Sequence, residues 1–228
     1  METSSFGGAS PLLHATELTV AVTSLYPAAK RVEDRAIALT LLVVLAPILL
    51  LSFAMVAVGA LLRPADRGAL LYREPRISRG RPFDLIKMRV LKKDVIATGK
   101  GHVRPLEDDR ANLTWAGRRL KGWYLDELPQ LWNVLRGDMS LVGPRPWPPA
   151  MVAEQVERGR DYRLRVQAGW TGPAQVTKGA PEPVVYEELD LEYVEALRTL
   201  PGWRLVLYDL ALLAESVRTV ARGEGLRF

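Results

Sequence analysis

Hydrophobic positions fall along this chain in three patterns. The first is nearly continuous: residues 36–62 pass without one charged side chain, a run of 27. A straight helix of that length would reach about 40 Å, longer than a hydrocarbon core of roughly 30 Å, so a simple span would have to tilt. Pro47 lies inside the run. It removes a backbone donor and crowds the preceding turn, which predicts a bend near Leu45 and Ala46. The second pattern is a pair of short apolar runs, residues 69–72 and 82–90, on either side of a Gly and Pro turn at residues 79–82; it predicts two paired strands. The third is helical spacing. Leu128, Leu131, Trp132 and Leu135 recur at three and four residues, predicting an amphipathic helix from near Arg118 to Arg136 and Gly137.

Further helices are predicted over residues 151–165, 187–200 and 204–222. The last mixes a broad Leu and Val face with Asp209, Glu215 and Arg218, which suits an interfacial helix or a core helix and excludes a span. Residues 92–112, polar and rich in Gly and Asp, read as loop. Residues 140–146, Ser-Leu-Val-Gly-Pro-Arg-Pro, read as an extended loop without regular structure. Residues 169–179 read as loop or a short strand. The fold class expected is mainly α with a small β element, α+β.

Charge decides how the apolar run is placed. Lys30, Arg31 and Arg35 precede it, and Arg63 and Arg67 follow it. A span usually has its Lys and Arg excess on the cytoplasmic side only, so two basic flanks favour a re-entrant helix with both ends in the cytoplasm over a tilted span. A cleaved signal peptide fits badly, because some 35 residues precede the run. The first residues read as a mobile leader, 1–29, with a short amphipathic stretch around Leu12 to Leu25.

The net charge of +5 is uneven: residues 63–93 carry ten Lys or Arg against three acidic residues. Such a patch seeks phosphate, whether of lipid, nucleic acid or a phosphorylated substrate. There is no cysteine, which excludes disulfides, thiolate metal sites and cysteine nucleophiles, and His14 and His102 stand too far apart for a histidine-rich centre.

The densest chemistry lies in residues 121–146. Asp126 and Glu127 are adjacent carboxylates at the predicted start of a helix, where free N–H groups and the dipole would hold a carboxylate's pKa down. An ionised carboxylate can attack phosphorus if a cation neutralises the phosphate oxygens, and a neighbouring Glu127 is a candidate ligand for Mg²⁺. Read alone, the same pair is an ordinary helix cap. Arg145, between two prolines, is a phosphate clamp or a surface arginine.

The run Leu125-Asp126-Glu127-Leu128-Pro129-Gln130-Leu131, followed by residues 133–146, Asn-Val-Leu-Arg-Gly-Asp-Met-Ser-Leu-Val-Gly-Pro-Arg-Pro, resembles the signature of the monotopic phosphoglycosyl transferases, the bacterial undecaprenyl-phosphate sugar phosphotransferases. Lys30-Arg31 with Asp34 before the proline-broken apolar run, Lys87-Met88-Arg89, residues 168–176, Asp190 with Tyr193-Val194, and Gly223-Glu224-Gly225 extend the resemblance over residues 30–225. It implies a re-entrant membrane helix at 30–67 and a cytoplasmic catalytic domain at 68–228 with interfacial helices, in a bacterial inner membrane. It also implies that Asp126 attacks the β-phosphate of a UDP-sugar, that UMP leaves, and that a polyprenyl phosphate takes the sugar phosphate from the aspartyl intermediate.

Glu127 would help bind Mg²⁺; Lys87, Arg89, Lys121 and Arg145 would contact phosphate; membrane lipid would surround the helix, with a homo-oligomer left open. Lys121 stands where Arg is usual, Gly122-Trp123-Tyr124 replaces a Lys-Thr-Ser type sequence, Glu74 replaces Gln, and Ala46 precedes Pro47 where Ser is frequent. The competing reading is a non-catalytic membrane scaffold that binds anionic lipid through residues 63–93. A nucleic-acid partner is not expected, since no recognition motif accompanies the patch.

Overall fold

The computed structural model describes residues 28–98, 104–177 and 186–222. The expected leader and the Gly223-Glu224-Gly225 match lie outside or almost wholly outside the described residues. The apolar run forms two helices, α1 (Ala28–Val44) and α2 (Ala46–Leu62), that meet at Leu45 with a bend of 63°. Pro47 sits in the first turn of α2, so the carbonyl four residues earlier has no helical donor to meet, and the axis changes direction there. No single described helix is long and apolar enough to cross a membrane, but this bent pair passes that test together.

Each arm buries three of its 17 residues: Lys30, Asp34 and Ala38 in α1, and Ser52, Val56 and Gly59 in α2. Val43, Val44, Leu50, Leu51, Leu61 and Leu62 stand out on the surface of the pair, all more than 60% exposed. So large an exposed aliphatic surface needs an apolar environment.

Strands β1 (Leu71–Ser78) and β2 (Arg81–Met88) form an antiparallel hairpin. Arg79 and Gly80 close it with φ of 51° and 69°, the left-handed pair that a two-residue turn requires. β1 starts two residues later than the sequence reading placed it and runs six residues further. It continues through Pro75, whose missing N–H is tolerated in a two-stranded sheet.

Residues 92–112 contain more order than a loop: α3 (Lys93–Thr98), a 3-10 turn over Arg104–Asp108, and a bridge between Leu91 and Leu113. Helix α4 (Gly117–Leu120) and two 3-10 turns, Lys121–Trp123 and Leu125–Glu127, lead to α5 (Gln130–Arg136). The expected single helix is therefore broken at Tyr124, which adopts φ 54° and ψ 21° between the two turns.

Residues 140–142 form a strand, β3 (Ser140–Val142), parallel to β4 (Gly169–Thr171), where the sequence predicts irregular chain. The prolines stop the strand at Val142 without preventing it. The backbones touch where a Cβ on Gly169 would lie 2.1 Å from the Gly143 nitrogen, so both positions must be glycine. The expected 151–165 helix is two, α6 (Pro149–Glu157) and α7 (Tyr162–Arg165), separated at Gly159, whose φ is 79°. Helices α8 (Pro173–Val176), α9 (Tyr186–Thr199) and α10 (Gly202–Ala221) complete the described chain, which is α+β as expected.

The main core gathers Ala38 of α1, Leu131 and Val134 of α5, Leu141 and Val142 of β3, Tyr193 and Leu197 of α9, and Leu205 of α10. A buried polar knot ties the same elements. Lys30 is paired with Asp209 and lies 3.5 Å from Asp34; Asp34 Oδ1 accepts the Leu141 N–H at 3.1 Å; the Tyr193 hydroxyl lies 2.9 Å from Asp209 and 3.0 Å from the Val142 carbonyl.

Candidate active site

Asp126 lies in the 3-10 turn just before α5 and is buried. The site is thus four residues ahead of Gln130, where the regular helix begins and a long helix dipole cannot act on it, and the expected lowering of its pKa is reversed. Burial pushes the Asp126 carboxyl up to about 7; the charges of Glu127 and Glu107 add to the rise, and Lys87 and Lys121 oppose it. Its Oδ1 is buried without a hydrogen-bond partner. An orphaned carboxylate oxygen in such a setting is costly unless it is used.

Lys87, near the end of β2, and Lys121, at the start of the first 3-10 turn, are brought together from positions 34 residues apart by one carboxylate. Glu107 Oε1 accepts from Lys87 and Oε2 from Lys121, each at 2.8 Å. Lys87 also reaches Glu74 at 3.1 Å, and Glu74 holds Arg76 at 2.7 Å. Burial alone would raise the Glu107 pKa, but the two lysines outweigh it and hold it below the ordinary value. On the other side, Arg145 Nη2 donates to Glu127 Oε1 at 3.1 Å.

Arg145 is itself held by Arg163 of α7, whose Nη1 donates to the Arg145 carbonyl at 2.6 Å while its guanidinium lies over the Trp147 ring and pairs with Asp190 at 2.5 Å. With Asp126 ionised, the four cations Arg76, Lys87, Lys121 and Arg145 balance the four carboxylates Glu74, Glu107, Asp126 and Glu127.

Arg89 lies elsewhere. Its guanidinium donates to the carbonyls of Ala69 at 2.6 Å and Leu91 at 2.9 Å and to that of Asp66, so it fastens the exit of α2 to the strand pair. Pro47 lies at the bend of the α1–α2 pair. Glu107 sits in a polar Glu-Asp-Asp-Arg run without periodicity, and Arg163 is one of several arginines in a helical stretch, so neither carries a local signal in the sequence.

The donor chemistry suits Mg²⁺. Asp126 with its orphaned oxygen and the adjacent Glu127 offer carboxylate oxygens, and no group of three or more potential ligands exists among the described residues. Mg²⁺ is commonly held by one or two carboxylates, with water and substrate phosphate completing the shell.

A family model described as bacterial sugar transferase matches residues 25–223. The chain belongs to that family. This bacterial sugar transferase is 37% identical over 179 residues to the undecaprenyl-phosphate glucose phosphotransferase of Komagataeibacter xylinus, covering 73% of this chain and 32% of the relative. It is 36% identical over 202 residues to the UDP-glucose:undecaprenyl-phosphate glucose-1-phosphate transferase of Caulobacter vibrioides, covering 82% and 68%. The exopolysaccharide production protein ExoY of Sinorhizobium fredii is 30% identical over 214 residues, covering 86% and 87%. The chain thus spans about a third of the first relative's length and about two thirds of the second's.

Proposed function

We propose that this sugar transferase moves a sugar 1-phosphate from a UDP-sugar to a polyprenyl phosphate through a covalent intermediate on Asp126. The observation that carries the reading is the buried Asp126 carboxylate with one orphaned oxygen, set among Lys87, Lys121 and the Glu127–Arg145 pair. In the first step Asp126 Oδ1 bonds to the β-phosphorus, the bond to the bridging oxygen breaks, and its electron pair leaves with UMP. In the second, an oxygen of the polyprenyl phosphate attacks the same phosphorus and the Asp126 carboxylate departs, leaving a polyprenyl diphosphate sugar.

Lys87 and Lys121 stabilise charge on the transferring phosphoryl group, and Arg145 orients Glu127. The cluster's own charges already balance, so a diphosphate adds negative charge that these side chains do not offset. Bound Mg²⁺, held by Glu127, would neutralise phosphate oxygens that otherwise repel the Asp126 carboxylate. Arg89, engaged with three carbonyls, is assigned to the scaffold.

The bent helix pair enters one face of the inner membrane and returns to the cytoplasm. Its exposed Val and Leu surface meets lipid, and the acceptor's tail lies along it. Trp123, Trp132 and Trp203, each more than half exposed, fit the interface.

The full chain in detergent, with Mg²⁺ and a panel of UDP-sugars, is expected to release UMP with at least one donor only when polyprenyl phosphate is supplied. Asp126→Asn is expected to release none. Wild-type turnover by Asp126→Asn would overturn the assignment.

A further inference from the structure

We propose that Glu107 is a positioning residue of the transfer: its carboxylate bridges Lys87 and Lys121 and fixes the spacing of the two ammonium groups that meet the donor's phosphates beside Asp126. The inference rests on the phosphoryl-transfer reading and adds to it a residue that touches no substrate.

Three observations carry it. Each Glu107 oxygen serves a different lysine at the same 2.8 Å, so the carboxylate spans the pair and does not merely neutralise one member. All three side chains are buried, with Glu107 5%, Lys87 8% and Lys121 9% exposed. A buried ion network of this kind is often no more stable than an apolar replacement, so stability alone does not account for it. Finally, the turn that carries Glu107 is fastened from behind: Asn112 Nδ2 donates to the Leu106 carbonyl at 2.9 Å, and the Lys92 N–H donates to the Asn112 carbonyl at 3.0 Å. The bridge therefore has a fixed footing beyond the ammonium groups it joins.

Without the bridge the two ammonium groups repel each other and lose their common reference. The local field becomes more positive, which favours binding a polyanionic donor. Transfer instead requires both charges at set positions around the phosphorus, and small displacements are expensive there. The signature is a split between kcat and KM. Glu107→Gln keeps the shape and one acceptor but loses the charge and the second acceptor. Glu107→Asp keeps the charge, but a side chain shorter by one methylene cannot hold both lysines at the same distance.

The test is steady-state UMP release by the full chain in detergent, with polyprenyl phosphate, Mg²⁺ and a UDP-sugar that wild type turns over. For Glu107→Gln, kcat is expected to fall at least about tenfold while donor KM stays equal or drops, with Glu107→Asp between it and wild type. A purely structural role would instead lower the melting temperature and leave the kcat of folded enzyme intact. A kcat within about twofold of wild type overturns the proposal, as does a loss confined to a raised KM. If Glu107→Gln does not fold, Glu107→Asp decides on the same criteria. Because wild type must turn over for the comparison to be made, failure of this proposal is distinguishable from failure of the transferase reading.

Discussion

Asn133 has no solvent exposure and uses both ends of its amide. Its Oδ1 accepts the Ile86 N–H at 3.0 Å, and its Nδ2 donates to the Asp84 carbonyl at 2.8 Å and to Asp138 at 2.9 Å. One side chain thus stands in for a strand along the edge of β2 that β1 leaves unpaired. Asn133→Ala strands these buried groups and is expected to cost roughly 2 to 4 kcal/mol, read as a lower denaturant midpoint in detergent. An unchanged midpoint would contradict the account. The sequence places Asn133 in a recognisable run but does not say what it bonds to, because its partners lie 47 and 49 residues upstream. Asp126 and Glu127 show the opposite limit. They are legible as a pair from their company, yet their expected place at a helix start gives the wrong electrostatics, since burial depends on surrounding elements that no local spacing records. Glu107 was not legible at all.

Among the elements, those governed by local spacing were readable: α9, α10, the C-terminal end of α5 and the bend at Leu45 fall close to where periodicity and Pro47 put them. Elements fixed by distant partners were not. β3 exists because β4, 29 residues on, offers it a parallel partner, and the two-turn approach to α5 depends on Tyr124 holding a left-handed backbone that bulky residues seldom adopt. The bent pair allows a test by magnitude. The uncharged stretches of the two arms, residues 36–44 and 46–62, are about 14 Å and about 25 Å of helix, each shorter than a hydrocarbon core of roughly 30 Å, and the bend of 63° allows both ends to return to one surface. The chain lacks cysteine, so single introduced thiols report cleanly. Ala28→Cys and Arg67→Cys are both expected to react with an impermeant maleimide only from the cytoplasmic side of inverted vesicles. Labelling of one from the opposite side would establish a span.

Over the whole molecule, the decisive connections join the two ends of the chain. Lys30 and Asp209 pair across 179 residues, and through Asp34 and Tyr193 the same knot grips Leu141 and Val142, the strand that leads into the Arg145 loop. Lys30→Met would leave Asp34 and Asp209 buried without their cation and is expected to destabilise by about 3 to 5 kcal/mol, seen as a lower melting temperature, with UMP release falling alongside. Unaltered melting would show the knot to be dispensable. No periodicity could announce a contact of that separation; only the resemblance hinted that Lys30 and Asp34 mattered. The 63° elbow carries a mechanical consequence as well. On the proposed re-entrant placement, a wedge seated in one leaflet would add area to that leaflet and none to the other, putting the two under opposite lateral tension. Such a bilayer would relax by curving, and the proposed placement therefore makes each copy of the protein sensitive to the shape of the membrane that holds it.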